Sequence, residues 1–226
     1  MAIVGTLLGA TELVASAATV TVSATSTNGA SWDVFVADTT GFGATPVTDN
    51  KGNTYTQIGA NGTAFGVTGT RWRKENGAGG AGHIFTGTMT SSDLASMFVV
   101  EITGGATSSL LDQFQNGNDD VATPFTSAVT GTTTQANELV IAHEIDNRSA
   151  ASAIVWGNSY VGLSDLSNVT GISCACAKLN VTATGTQQSS FTNVNTTESM
   201  TWIATFKELG GAVVVSAIMG RGIWIS

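Results

Sequence analysis

The sequence predicts an all-β fold, a single antiparallel β-sandwich of jelly-roll-like type over residues 18–208, with an apolar arm at each end (1–17 and 209–226). Three observations predict it. Short runs rich in Val, Ile, Thr and aromatic residues recur between clusters of Gly, Asn and Asp. No long segment repeats its apolar residues at helical spacing. Both chain ends are also more apolar than a segment fraying into water.

Taken in order, strand patterns fall at 19–22, 32–36, 53–58, 68–74, 83–86 and 96–102, then at 138–144, 172–181, 189–192 and 200–206. Their many threonines fit, because a β-branched side chain favours the pleated backbone. Between them lie turn formers such as Asp49-Asn50-Lys51-Gly52-Asn53 and Gly77-Ala78-Gly79-Gly80. Helix is expected only as one capped turn at 90–95 and a short segment at 11–18, where Glu, Leu and Ala favour it. Neither an internal repeat nor a second domain is evident.

Of 226 residues only 11% are charged, against about 25% in ordinary soluble domains. Hydroxyls and amides must therefore solvate the surface, as in extracellular and virion β-proteins. The net charge is −8, which disfavours nucleic acid as a partner, since phosphate binding needs a basic face. The local cluster Arg71-Trp72-Arg73-Lys74 reads as a solvated strand face over a buried Trp72. Neither end approaches the ~20 apolar residues of a membrane span, so no membrane partner is expected. The N-terminal stretch lacks the basic start of a signal peptide, and Glu12 interrupts it. A virion protein, made in a host cytoplasm and released by lysis, reconciles an extracellular composition with no export signal.

Cys174 and Cys176 sit two apart on a strand and share a face. A direct bridge would be strained, and only His83 and His143 could join them at a metal. They read as small buried hydrophobes, with an intermolecular disulfide left open. Asp49–Asn53 reads as a tight turn, with Asp49 capping backbone amides and Gly52 supplying positive φ. Asn116–Asp120 is the better calcium candidate, although loop chemistry accounts for it equally. No metal or cofactor is assigned. Glu138, Glu144 and Asp146 share strand parity, yet sixteen acids make such coincidences common. With no Gly-x-Ser-x-Gly elbow and only two histidines, no catalytic residue is assigned and no enzyme is expected. His143 reads as a half-buried strand residue, and Trp32, Trp72 and Trp202 as core. Trp156, Asn158 and Tyr160 are candidate glycan contacts, because an aromatic face with amides nearby suits a sugar ring.

Four segments in order carry a resemblance: 47–56 (Val-Thr-Asp-Asn-Lys-Gly-Asn-Thr-Tyr-Thr), Leu110-Leu111-Asp112, 133–140 (Thr-Thr-Gln-Ala-Asn-Glu-Leu-Val) and 202–207 (Trp-Ile-Ala-Thr-Phe-Lys). The chain resembles a loosely defined group of Thr/Gly-rich β-sandwich surface proteins of tailed phages and bacteria. The resemblance implies a jelly-roll-like fold and an exterior location, and it carries over no catalytic residue. The apolar C-terminus departs from that pattern.

The expected function is a structural protein on the exterior of a bacteriophage virion, as a head decoration, collar or fibre component. It would dock through its terminal arms onto capsid, collar or tail proteins, or onto copies of itself as a homo-oligomer. Val213, Val214, Val215, Ile218, Met219, Ile223, Trp224 and Ile225 are the expected anchors of the C-terminal arm, by strand addition to a neighbour. The alternative is a glycan-binding module, either a phage receptor-binding protein or a bacterial surface lectin.

Overall fold

In the computed structural model, residues 2–13, 17–121, 123–148, 152–167 and 172–210 are described, and all of their regular structure is strand. The strands in chain order begin with β1 (Val4–Glu12), β2 (Ala17–Ser26), β3 (Ser31–Asp38), β4 (Phe42–Asp49), β5 (Thr56–Gln57) and β6 (Gly62–Ala64). Next come β7 (Val67–Lys74), β8 (Gly80–Asp93), β9 (Ala95–Thr103), β10 (Leu111–Asp120), β11 (Phe125–Thr126) and β12 (Glu138–Asp146). The last five are β13 (Val155–Trp156), β14 (Val161–Leu166), β15 (Ser173–Val181), β16 (Ser190–Thr192) and β17 (Ser199–Lys207). Each pairs antiparallel with its neighbours.

Two larger sheets face one another like the halves of a sandwich. One runs β1-β9-β3-β7-β5, with β6 also on β7; the other runs β10-β17-β12-β15-β14. Alternate residues of β3 and β9, Phe35, Phe98, Val100 and Ile102, meet Leu139, Ile141, Cys176, Trp202 and Phe206 of the second sheet. The opposite side chains of β3 and β9 are buried as well. Trp32, Val34, Val36, Met97 and Val99 pack against Val20, Val22, Val47 and Phe85 of a third sheet, β2-β8-β4. The outer face of the second sheet is also covered in part, where Val140, Ala142, Ala177 and Ile203 meet Tyr160 and Trp156. Hence β3 and β12 are buried at every position. A small sheet, β11-β16-β13, completes the set.

Several expectations are corrected by this layering. Residues 4–12 of the expected N-terminal arm form β1, an edge strand paired along β9. Gly9 makes that possible, since a Cβ there would run into Val22. The short helix expected at 11–18 is replaced, in the residues described, by the end of β1 and the start of β2. The turn expected at 90–95 is the end of β8 and the start of β9. Strand pairing outweighs weak local helix propensity at both places. Asn116–Asp120 belongs to β10 and is not a loop: Asn116 Oδ1 accepts from the amide of Ala60 at 3.0 Å, and Asp120 Oδ2 from that of Thr126 at 2.9 Å. The Asp49 turn has the expected form. Asp49 Oδ1 accepts from the amides of Lys51 and Asn53, and Gly52 has φ +76°.

Trp202 lies against paired glycines. Gly62 and Gly69 are register partners in β6 and β7, and a Cβ on either would overlap the indole. The two bare backbones form a flat seat for the ring, which Phe35 closes at 5.1 Å between centroids.

Candidate functional site

The two described chain ends meet at one pole. Glu208 bridges Gly105, and the Leu209 amide donates to the Gly104 carbonyl at 2.8 Å. Gly104, at φ +69°, also has the Ala2 carbonyl against it, so only glycine fits there. The start of the chain is tied to β15 at the same place. Lys178 Nζ donates to the Gly5 carbonyl at 2.6 Å and Asn180 Nδ2 to the Ile3 carbonyl at 2.9 Å. A shallow pocket lined by Ala2, Ile3, Glu138, Asn180 and Glu208 opens between the two ends. The anchors expected in the C-terminal arm, Val213, Val214, Val215, Ile218, Met219, Ile223, Trp224 and Ile225, lie outside the described residues.

Of the candidate glycan contacts, Trp156 alone lines a groove. Gly157-Asn158-Ser159-Tyr160 is a tight turn between β13 and β14. The Tyr160 amide donates to the Gly157 carbonyl at 3.1 Å, and Asn158 and Ser159 have φ of 52° and 63°. Those angles are the mirror-image turn that suits a hairpin. The turn sends Tyr160 inward, buried on Ala177 and Ile203, and burial pushes its phenol up. Asn158 Nδ2 points back to the Gln188 carbonyl, 3.1 Å away. Trp156 is half-buried beside Phe191. With Gly162, Ser164 and Asp165 it lines a shallow groove.

Asp165 belongs to a charged cluster on the outer face of the second sheet. Arg148 donates to Asp146 Oδ1 at 2.8 Å and to Asp165 Oδ1 at 2.7 Å, with Glu144 Oε1 at 3.5 Å. One guanidinium thus faces three carboxyls. Burial, reinforced by Asp146, pushes the Glu144 carboxyl well above its ordinary value, against the pull of Arg148. The shared parity of Glu144 and Asp146 does bring two acids together. They converge on a buried arginine and are not set across an open cleft.

Two further polar clusters are buried between sheets, and the sequence reading missed both. Asp33 on β3 receives Arg71 Nε at 2.7 Å and Nη2 at 2.9 Å, while His143 Nε2 lies 2.7 Å from Asp33 Oδ2. A carboxylate only accepts, so His143 carries its proton on Nε2. Its ring stacks on Phe35 at 4.7 Å and 6°. Burial alone would raise the Asp33 carboxyl, but Arg71 and His143 outweigh it and hold the group at about 2. Burial also holds His143 below its ordinary value, and so neutral, against the pull of Asp33. The expectation that Arg71 is solvated and His143 half-buried is therefore corrected: both are enclosed.

The second cluster is a Ser–His–Asp chain. His83 Nε2 is 3.0 Å from Asp49 Oδ2, and Ser26 Oγ is 2.6 Å from His83 Nδ1. With Nε2 donating to Asp49, Nδ1 accepts from the Ser26 hydroxyl. These are the contacts that activate a serine in hydrolases, with the two ring nitrogens exchanged. Here His83 is sealed between Trp32 and Phe85. Asp49 is also occupied by Tyr55 and Asn53, and the hydrogen bonds of Tyr55, Asn53 and His83 overcome burial to hold it at about 2. The arrangement pins the Asp49 turn to β8. Among the described residues no His, Cys, Asp or Glu cluster is placed to hold a metal. Cys174 and Cys176 are free, buried and on the face of β15 that meets the first sheet. No protein-family model, curated protein or solved structure matches the chain.

Proposed function

We propose that the chain is a structural protein of a bacteriophage exterior, as a decoration, collar or fibre component, attached through its terminal segments to other virion proteins or to further copies of itself. The observation that carries this reading is the meeting of the two described ends, Ala2 and Leu209, at one pole beside Gly104. The C-terminal segment, with its run of Val213, Val214, Val215, Ile218 and Met219, starts there. Strands such as β12, nine residues long, run about 27 Å from that pole, so attachment at one end leaves the other exposed. A body with low charge and a hydroxyl-rich surface suits an exterior position.

The test compares the full chain with one ending at Gly210. The shortened chain is expected to keep the same β-sheet circular dichroism and to sediment as a monomer, whereas the full chain associates. It should also fail to join particles that incorporate the full chain. Equal incorporation of both would end this reading.

A second reading, a glycan-binding module, is supported by the groove of Trp156, Gly162 and Asp165. Glycan retention on an array should fall at least tenfold in Trp156→Ala, with its oligomeric state unchanged. Asn158→Ala and Tyr160→Phe should bind as the parent does, because neither side chain faces the groove. Absence of retention by the parent chain would remove this reading.

A further inference from the structure

At the pole where Ala2 and Leu209 come together, three neighbouring strands bring together one amine and two carboxyls. In the sheet order β10-β17-β12, Leu111 pairs with Phe206 and Glu138 with Lys207. Asp112, Glu138 and Lys207 therefore sit beside one another. Lys207 Nζ is 3.9 Å from Asp112 Oδ1, and the Asp112 side chain is only 3% exposed. Both Asp112 oxygens are already polarised, since the Thr134 hydroxyl donates to Oδ1 and the Thr134 amide to Oδ2, each at 2.6 Å. Glu138 is fully buried, with its carboxyl against Asp112, the Thr205 hydroxyl and the Gln135 backbone.

We infer that Lys207 and Asp112 join in an intramolecular isopeptide bond, with Glu138 carrying the protons. A carboxyl buried against Asp112 and next to the register partner Lys207 is placed to move protons between an adjacent amine and carboxylate. Burial, reinforced by Asp112, pushes Glu138 up to about 7, near the value that lets one group both give and take a proton at neutral pH. In the reaction, Glu138 protonates the Asp112 carboxylate and then takes a proton from the Lys207 ammonium. The freed Nζ attacks Asp112 Cγ, whose developing oxyanion is met by the Thr134 donors. The C–N bond forms, the C–O bond breaks, and the oxygen leaves as water with two protons from the ammonium. Glu138 ends as it began, and no other reagent is consumed. Fixed neighbours in a folded core supply the proximity that makes so slow a condensation feasible. The product would tie the last strand to β10 just before the chain leaves the sheet, whatever that end attaches to.

The test is the intact mass of the purified, denatured full chain. It is expected to be about 18 Da, one water, below the sequence mass, and proteolysis should release a branched peptide joining Asp112 to Lys207. Lys207→Arg should restore the full mass. Glu138→Gln, shown to be folded by circular dichroism, should do the same or form the bond at least tenfold more slowly. Full mass in the folded parent chain would overturn the proposal. So would a loss of water that survives Lys207→Arg, or a branch at Glu138 in place of Asp112. Bond formation at parental speed in Glu138→Gln would remove Glu138 from the role.

Discussion

Arg71→Ala is expected to destabilise the protein by about 3–5 kcal/mol, because it leaves the Asp33 carboxylate buried between two sheets without its countercharge. Asp33 is fully enclosed, and Arg71 supplies two of the hydrogen bonds it accepts. Urea unfolding followed by Trp fluorescence measures the effect, and a loss under about 1 kcal/mol would mean that the pair contributes little. The pH dependence has a definite sign. Asp33, held at about 2 against an ordinary 3.8, contributes stability on the order of 2 kcal/mol. That contribution is complete above the ordinary value and lost as pH falls through about 2. His143 is depressed below 6.5 by burial. As pH drops below 6.5 the unfolded chain takes up a proton that the folded one refuses, and stability declines in the same direction. Glu138 works the other way. Its carboxyl, raised from 4.5 to about 7, binds a proton more tightly in the fold, and its contribution is lost as pH rises through that window. Removing Arg71 should shift the acid unfolding midpoint upward, since the Asp33 carboxyl would no longer be held down.

Trp202→Ala should cost about 3–5 kcal/mol, through lost burial and a cavity that the surroundings cannot fill. The indole is 1% exposed, and two of its neighbours are the bare backbones of Gly62 and Gly69, which carry no side chains to move into the gap. The aromatic ring of Phe35 packs against it. A drop in the urea midpoint at unchanged slope would show a loss of stability alone. Trp156→Ala, at a half-buried position on the outer face, should cost much less. Similar losses for the two variants would contradict the packing described for Trp202.

How much of this was legible in the sequence follows from the layering. The all-β class, most strands, the Asp49 turn and the core placement of Trp32, Trp72 and Trp202 follow from alternation and turn chemistry, which act locally. The same alternation misleads for Arg71 and His143. A polar residue opposite an apolar one reads as facing water. But β7, which carries Arg71, is in the middle layer and has no wet face, and His143 lies on the face of β12 that meets the first sheet. The third sheet, covering Trp32, Val34 and Val36, is what makes the other face of β3 interior too, and nothing in β3 itself announces it. Asp33, Arg71 and His143 come from three strands far apart in sequence, so only the register brings them together. The same holds for Asp112, Glu138 and Lys207. Residues 4–12 read as an arm because that end is more apolar than a segment fraying into water, a reading that passes over Gly5 and Gly9. In the fold those glycines let β1 approach Leu139 and Val22. Tyr160 was misjudged because the turn that aims it inward depends on positive φ at Asn158 and Ser159, which those residue types do not demand.

The central claim is that the protein attaches through the pole where Ala2 and Leu209 come together. Backbone hydrogen exchange on the associated full chain, compared with the chain ending at Gly210, tests it most directly. Association should slow exchange at residues 2–5, 103–106, 180–182 and 207–209, and leave the groove around Trp156 and Asp165 unchanged. Slowed exchange at that groove, with the pole exchanging as freely as in the shortened chain, would contradict it.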